Sequence, residues 1–131
     1  MATGPGTEPG ADGAPVAFFA SAALFESWLE DHLDHSAGVW LKIAKAATGI
    51  PSLTSDGAVD AGLCFGWISG KRLALDDTYY LQKYVPRRAR SNWSDLNARK
   101  VAALTTAGRM RPSGQAAVDA ARADGRWPST H

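Results

Sequence analysis

The sequence predicts an α+β fold: a small, mostly antiparallel three-stranded sheet packed with about four helices. Two observations carry this expectation. Four segments place apolar residues at helical spacing behind a capping residue or a proline. Three short segments are instead rich in β-branched and aromatic residues, with Gly and Pro at the joins.

Residues 1–15, MATGPGTEPGADGAP, hold almost nothing to bury. Their Gly/Pro content predicts a disordered tail, because too little apolar surface is present to offset the entropy of ordering. One domain then spans 16–128, beginning near Val16 to Phe18. Ser21 caps a first helix that reaches about His32, with Leu24, Phe25, Trp28, Leu29 and His32 on one face. Residues 39–43, VWLKI, read as a strand. Gly49-Ile50-Pro51 breaks the chain, and Thr54 caps a second helix with Asp56 in its first turn. That helix buries Val59 and Leu63 and ends near Phe65-Gly66. Gly62 weakens it but admits a close neighbour.

Residues 67–75, WISGKRLAL, read as a strand with a Gly kink, and Asp76-Asp77-Thr78 as a turn. Residues 79–85 return antiparallel. Tyr79, Leu81, Lys83 and Val85 share one face of that strand, and Tyr80, Gln82 and Tyr84 share the other. Pro86 ends it. Ser91, Asn92 or Ser94 then caps a third helix with Val101 and Leu104 buried, Asn97 aligned with them, and Gly108 just past its end. Pro112 opens a fourth helix with a small-residue face at Ala117, Ala120 and Ala121. Gly125 ends that helix, and Trp127 folds back as a plug.

The totals narrow the class. With 131 residues the chain supports one domain with a core of its own. Its 45% hydrophobic and 21% charged residues are ordinary globular usage. No apolar run approaches the ~20 residues of a membrane span, and no signal peptide is visible. The single cysteine, Cys64, forms no internal disulfide. A cytoplasmic protein is expected. The net charge of +1 hides an asymmetry: residues 1–60 carry −6 and residues 83–131 carry +7. The basic half favours an anionic partner, unless the two halves neutralise each other across the fold.

Three strings stand out together: AGLCFGWISG at 61–70, LDD at 75–77 and YVPRRARSNWSDLNARKV at 84–101. They are followed by GRM at 108–110 and ADGRW at 123–127. In this order, over roughly 18–127, the chain resembles the YdeI/OmpD-associated family, also called bacteriocin-protection proteins. The resemblance implies a bacterial stress or resistance role and no set of catalytic residues. Where members of that family usually carry Asp after Gly-Trp-Ile, this chain has Ser69.

The residues themselves point to one corner. Arg87, Arg88 and Arg90 precede a helix start, with Ser91, Asn92, Trp93, Ser94 and Asn97 around it. Guanidinium groups grip carboxylate or phosphate with two parallel donors, and the free N–H groups of a helix start add a second anion-binding element. Trp93 offers a stacking face, and Asn97 a hydrogen bond. Trp67 and Tyr84, with Tyr80, complete an aromatic pocket floored by the sheet. The alternative is structural: the arginines pair with Asp76, Asp77 or the acidic first helix, and the rings are core. Cys64 reads as a buried small hydrophobe, since no histidine lies near it in sequence to activate it. His32 and His35, with Asp34 between them, read as a helix end in place of a metal site. Asp76 and Asp77 face opposite sides of a strand and read as a turn. No cofactor and no metal are called for.

The expected function is a non-catalytic stress or toxin-protection protein that binds a ligand, a peptide or an envelope component. The alternative is a small enzyme or sequestering protein acting on an anionic or aromatic small molecule at the Arg87–Asn97 corner. Nucleic-acid binding ranks last, because the net charge is low and no RNA or DNA motif is present.

Overall fold

The computed structural model describes residues 13–88 and 92–128. The fold is α+β. Its elements run β1 (Val16–Phe18), α1 (Ala22–Asp31), β2 (Val39–Ala44), a 3-10 turn at Ala46–Thr48, α2 (Ser55–Phe65), β3 (Trp67–Ala74), β4 (Tyr79–Pro86), α3 (Asp95–Thr106) and α4 (Pro112–Ala123).

The sheet corrects the expected count and pairing. It has four strands in the order β1-β2-β4-β3. β2–β4 and β4–β3 are antiparallel, but β1 runs parallel to β2, with Val16 opposite Trp40 and Phe18 opposite Lys42. The sheet is therefore mixed. A three-residue strand is too short to show alternation, and its parallel partner lies across α1, so neither signal is readable locally. Ala14, expected in the tail, is packed, and the exposed Pro15 is tied to β2 through its backbone. Ala14 is 1% exposed, and the Pro15 carbonyl accepts the Trp40 N–H at 2.7 Å. Residues 1–12, the rest of the expected tail, lie outside the described residues.

The helices start and stop on their caps. Ser21 accepts from the Leu24 N–H, Thr54 from Gly57 and Ser94 from Asn97. Each bond satisfies one orphan donor at a helix start. The period-2 faces of β2 and β4 sort cleanly. Val39, Leu41 and Ile43 lie opposite Tyr84, Gln82 and Tyr80, and this face carries the main core with Phe25, Leu29, Leu63, Trp67 and Val118. Trp40 and Leu81 point the other way and form a small second cluster with Ala14.

The Gly kink in β3 is a bulge between Ser69 and Arg72. Gln82 is the buried polar residue of the sheet, and it closes the bulge. Its Nε2 donates to the Gly70 and Lys71 carbonyls at 2.9 and 3.3 Å, while its Oε1 accepts from Arg72 Nε at 2.9 Å. No buried amide group is left unpaired there.

α2 is the central helix, in contact with α1, α3, α4 and β3. Gly62 admits the Tyr84 ring at 3.1 Å and the Trp67 carbonyl at 3.2 Å from where a Cβ would lie. Val118, not Ala120, is the buried anchor of α4, together with Gly114 and Ala121. Among the described residues no helix is long and apolar enough to cross a membrane.

A methyl group at Gly114 would overlap the Cys64 carbonyl oxygen, a backbone atom that cannot rotate away. Gly114→Ala is therefore expected to destabilise the fold by about 2–3 kcal/mol, the scale of overpacking. In urea denaturation its midpoint should fall well below that of Gly70→Ala, whose methyl meets only ordinary contacts with Lys83 at 3.6 Å and beyond. Equal midpoints would mean that α4 does not sit this closely on α2.

Candidate functional site

β4 delivers Pro86 and Arg87 to the corner where α2 ends. Gly66 caps α2 at φ 83°, in the left-handed region where a side chain is strained. Its carbonyl accepts the Arg87 N–H at 2.9 Å, which sets the Arg87 backbone. The side chain then crosses Trp93, with Cζ 3.6 Å from the ring centroid, and Nη1 donates to the Asn92 carbonyl at 3.1 Å. Trp93 in turn meets Trp127 at 4.9 Å, and Arg122 covers the Trp127 ring at 4.9 Å. Two arginines thus flank a tilted pair of tryptophans.

Two donors of Arg87 remain. Nε and Nη2 are both buried and have no hydrogen-bond partner. These atoms lie along one edge of the guanidinium, and together they form the fork that grips a carboxylate or phosphate. Burial, and then the nearby Arg126 cation, pushes Arg87 down to about 10. The group is still charged at neutral pH, so its desolvation is only partly compensated.

Arg87 lines three recesses: one of about 350 Å³ with Ser36, Val85, Pro86 and Arg88, and two that also include Trp67. The larger of these two is a cleft of about 190 Å³. Phe65, Gly66, Pro86 and Trp93 lie on its walls, with Ser113, Ala117 and Ala120 from α4 and with Leu33, Arg88 and Arg126. The smaller is a niche of about 60 Å³ bounded by Val59, Leu63, Ile68, Ser69, Tyr84 and Asn97.

The structure brings together Arg87, Arg88, Trp93 and Trp67 at the cleft, and Arg87, Trp67, Tyr84 and Asn97 at the niche. Arg90 and Ser91 lie outside the described residues. Ser94 has another task, since its hydroxyl accepts the Asn97 N–H at 3.1 Å and caps α3. Tyr80 does not join the pocket; Arg72 covers its ring at 4.4 Å. The residues that sequence reasoning missed come from the end of α2 and from α4: Phe65, Ser113, Ala117 and Ala120, with Arg126 beyond. Their spacing signals packing, and only the fold turns them toward Arg87. Ser69 stood out solely as a departure from a pattern.

The acids of α1 pair elsewhere. Glu26 binds Arg109 at 2.8 Å and Glu30 binds Arg111 at 2.9 Å. Arg126 is held by Asp124, with Nε 2.9 Å from both carboxylate oxygens. Asp76 accepts the Thr78 and Tyr79 N–H groups at 2.8 Å, which shapes its turn and holds its carboxyl below the usual range, the Tyr79 bond contributing most. His32 lies flat on Trp28 at 3.9 Å, with Nδ1 2.6 Å from the Trp28 carbonyl. Among the described residues no group of three or more His, Cys, Asp and Glu side chains is placed to hold a metal ion.

With this geometry in view, comparison with known families gives one match. The chain belongs to the family described as Domain of unknown function (DUF8412), whose model matches residues 17–117. Comparison with curated proteins and with solved structures found no match. The matched span of this DUF8412 domain runs from β1 into α4. It includes Arg87, Trp93, Ser69 and Asn97 and stops short of Arg126 and Trp127.

Two predictions follow from the charges of this DUF8412 domain. Arg87→Met removes a cation with an unpaired edge, so the ligand-free protein should gain about 1–2 kcal/mol, read as a higher urea midpoint. A lower midpoint would mean that the stack on Trp93 outweighs the desolvation. Burial pushes the Cys64 thiol up to about 11, which leaves little thiolate at neutral pH. Iodoacetamide labelling of the folded chain at pH 8 should be at least tenfold slower than in urea, and fast labelling would show that Cys64 is open to solvent.

Proposed function

We propose that this chain is a non-catalytic binding protein that captures a small oxyanion-bearing molecule at Arg87. The role is stress or toxin protection, as the resemblance to YdeI/OmpD-associated proteins implies. The observation that carries the reading is the unpaired Nε and Nη2 edge of Arg87. Buried cations are ordinarily paired, and Arg87 lines recesses that leave room for a partner. The titratable groups around it support binding over proton transfer. Burial pushes the Tyr84 hydroxyl up, away from neutrality, and the Cys64 thiol likewise rises to about 11. A general acid or base is moved toward the working pH instead.

The test is thermal melting of the full chain in graded sodium acetate, benzoate, phosphate and sulfate at constant ionic strength. At ~100 times its dissociation constant a bound anion adds ~2.7 kcal/mol, a rise of several degrees at this chain length. The rise should saturate and should vanish in Arg87→Met. Affinity should hold at neutral pH and decline as pH rises past about 10, where Arg87 begins to lose its charge. If none of the four anions raises the melting temperature, or if Arg87→Met responds as the parent does, the oxyanion reading is wrong.

A further inference from the structure

We infer, on the strength of that oxyanion reading, that the ligand of the cleft is a carboxylate carried on a flat apolar body about one ring in size, and not a phosphate ester. The first ground is the number of donors. Nη1 is engaged by the Asn92 carbonyl and one face by Trp93, so the Nε/Nη2 edge, which aligns one N–H from each nitrogen in parallel, is the one with both nitrogens unpaired. Two donors match the two oxygens of a carboxylate. A phosphate monoester presents three oxygens and nearly two charges and needs further donors to replace its hydration.

The second ground is that the start of α3, one usual source of those further donors, is closed. The Ser94 hydroxyl takes the Asn97 N–H, and Asp95 adds negative charge in the first turn. At the start of α4 no side chain caps the helix, but the Ser113 hydroxyl is committed to the Phe65 carbonyl, to which it donates at 2.8 Å. Of the further cations at the cleft, Arg126 has its charge met by Asp124, and Arg88 is exposed and engaged in an interaction of its own.

The third ground is what lines the rest of the cleft. Phe65, Trp93, Leu33 and Ala117 present apolar surface, and Ala120, an exposed position on α4, lies at the cleft as well. At about 190 Å³ the space is below the 300–1,000 Å³ of pockets for drug-sized ligands. It suits a single-ring acid, whose carboxylate meets the fork while the ring replaces water on the apolar wall.

Isothermal titration of the full chain with benzoate, acetate, phenyl phosphate and benzyl alcohol tests this. Benzoate is expected to bind at least tenfold more tightly than acetate, phenyl phosphate or benzyl alcohol. Arg87→Lys, which keeps the charge and loses the fork, should weaken benzoate at least tenfold. Ala120→Phe, a change at an exposed position that leaves the core intact, should fill the cleft and weaken benzoate while sparing acetate. Tighter binding of phenyl phosphate than of benzoate would overturn the carboxylate inference and leave the oxyanion reading standing. Benzyl alcohol binding as well as benzoate does would overturn both, as would no binding of any acid. Undiminished benzoate binding in Ala120→Phe would remove the cleft as the seat of the ring.

Discussion

Three successive carbonyls at the end of α2 hold the second half of the molecule. The Cys64 carbonyl accepts the Arg111 N–H at 3.0 Å, the Phe65 carbonyl accepts the Ser113 hydroxyl at 2.8 Å, and the Gly66 carbonyl accepts the Arg87 N–H at 2.9 Å. A helix end leaves its last carbonyls without intrahelical partners. Here each is given to a different segment: the loop before α4, the first turn of α4 and the exit from β4. The arrangement depends on two glycines. Gly66 takes the left-handed turn that aims the last carbonyl at β4, and Gly114 has no side chain where α4 must touch α2. Phe65, Gly66 and Trp67 also form one wall of the cleft, so the same junction that organises the fold positions the candidate site.

The distribution of charge follows from that junction. Once α4 and its preceding loop are docked on α2, Arg109 and Arg111 lie against α1, and Glu26 and Glu30 meet them. These pairs are partly exposed, so each is worth at most ~1 kcal/mol. With the Asp60–Lys100 pair, they take up part of the acidic surplus of the first half. Arg87 leaves the same junction at the end of β4, while Glu26 and Glu30 are engaged with Arg109 and Arg111. Its backbone is held by Gly66 and its guanidinium by Trp93 and the Asn92 carbonyl. The imbalance visible in the sequence is thus resolved for Arg109 and Arg111 and left open at Arg87.

Much of the fold was legible because local chemistry decided it. Ser21, Thr54 and Ser94 mark helix starts by a mechanism that needs no tertiary context, and the alternation in 79–85 assigned each side chain to its face. Gly62 could be read as a point of close approach, though not as the seat of the Tyr84 ring. β1 was not legible. Three residues carry no period, and their parallel partner begins 21 positions after they end. The site was legible in part. The run from Arg87 to Asn97 announced an anion-binding chemistry, but charge alone could not separate the arginine that stacks on Trp93 from Arg88 beside it. Nor could any spacing rule predict that Ala117 and Ala120, which look like a packing face, would border a cleft.

The stack on Trp93 explains how such a cation is retained. A lysine in the same place would carry a compact, strongly hydrated charge, and burial would favour its neutral form. A guanidinium spreads its charge over a plane, lies flat on an indole with little loss of hydration, and keeps its proton at neutral pH even when pushed down to about 10. Trp127 and Arg122 pack on the far side of Trp93, so the ring on which Arg87 lies is itself held in place. Holding that plane fixed costs stability in the empty protein. It also means that a planar acid arriving at the free edge meets donors already aligned, with little side-chain entropy left to lose. The feature that makes the ligand-free corner unfavourable is thus the one that would make it selective.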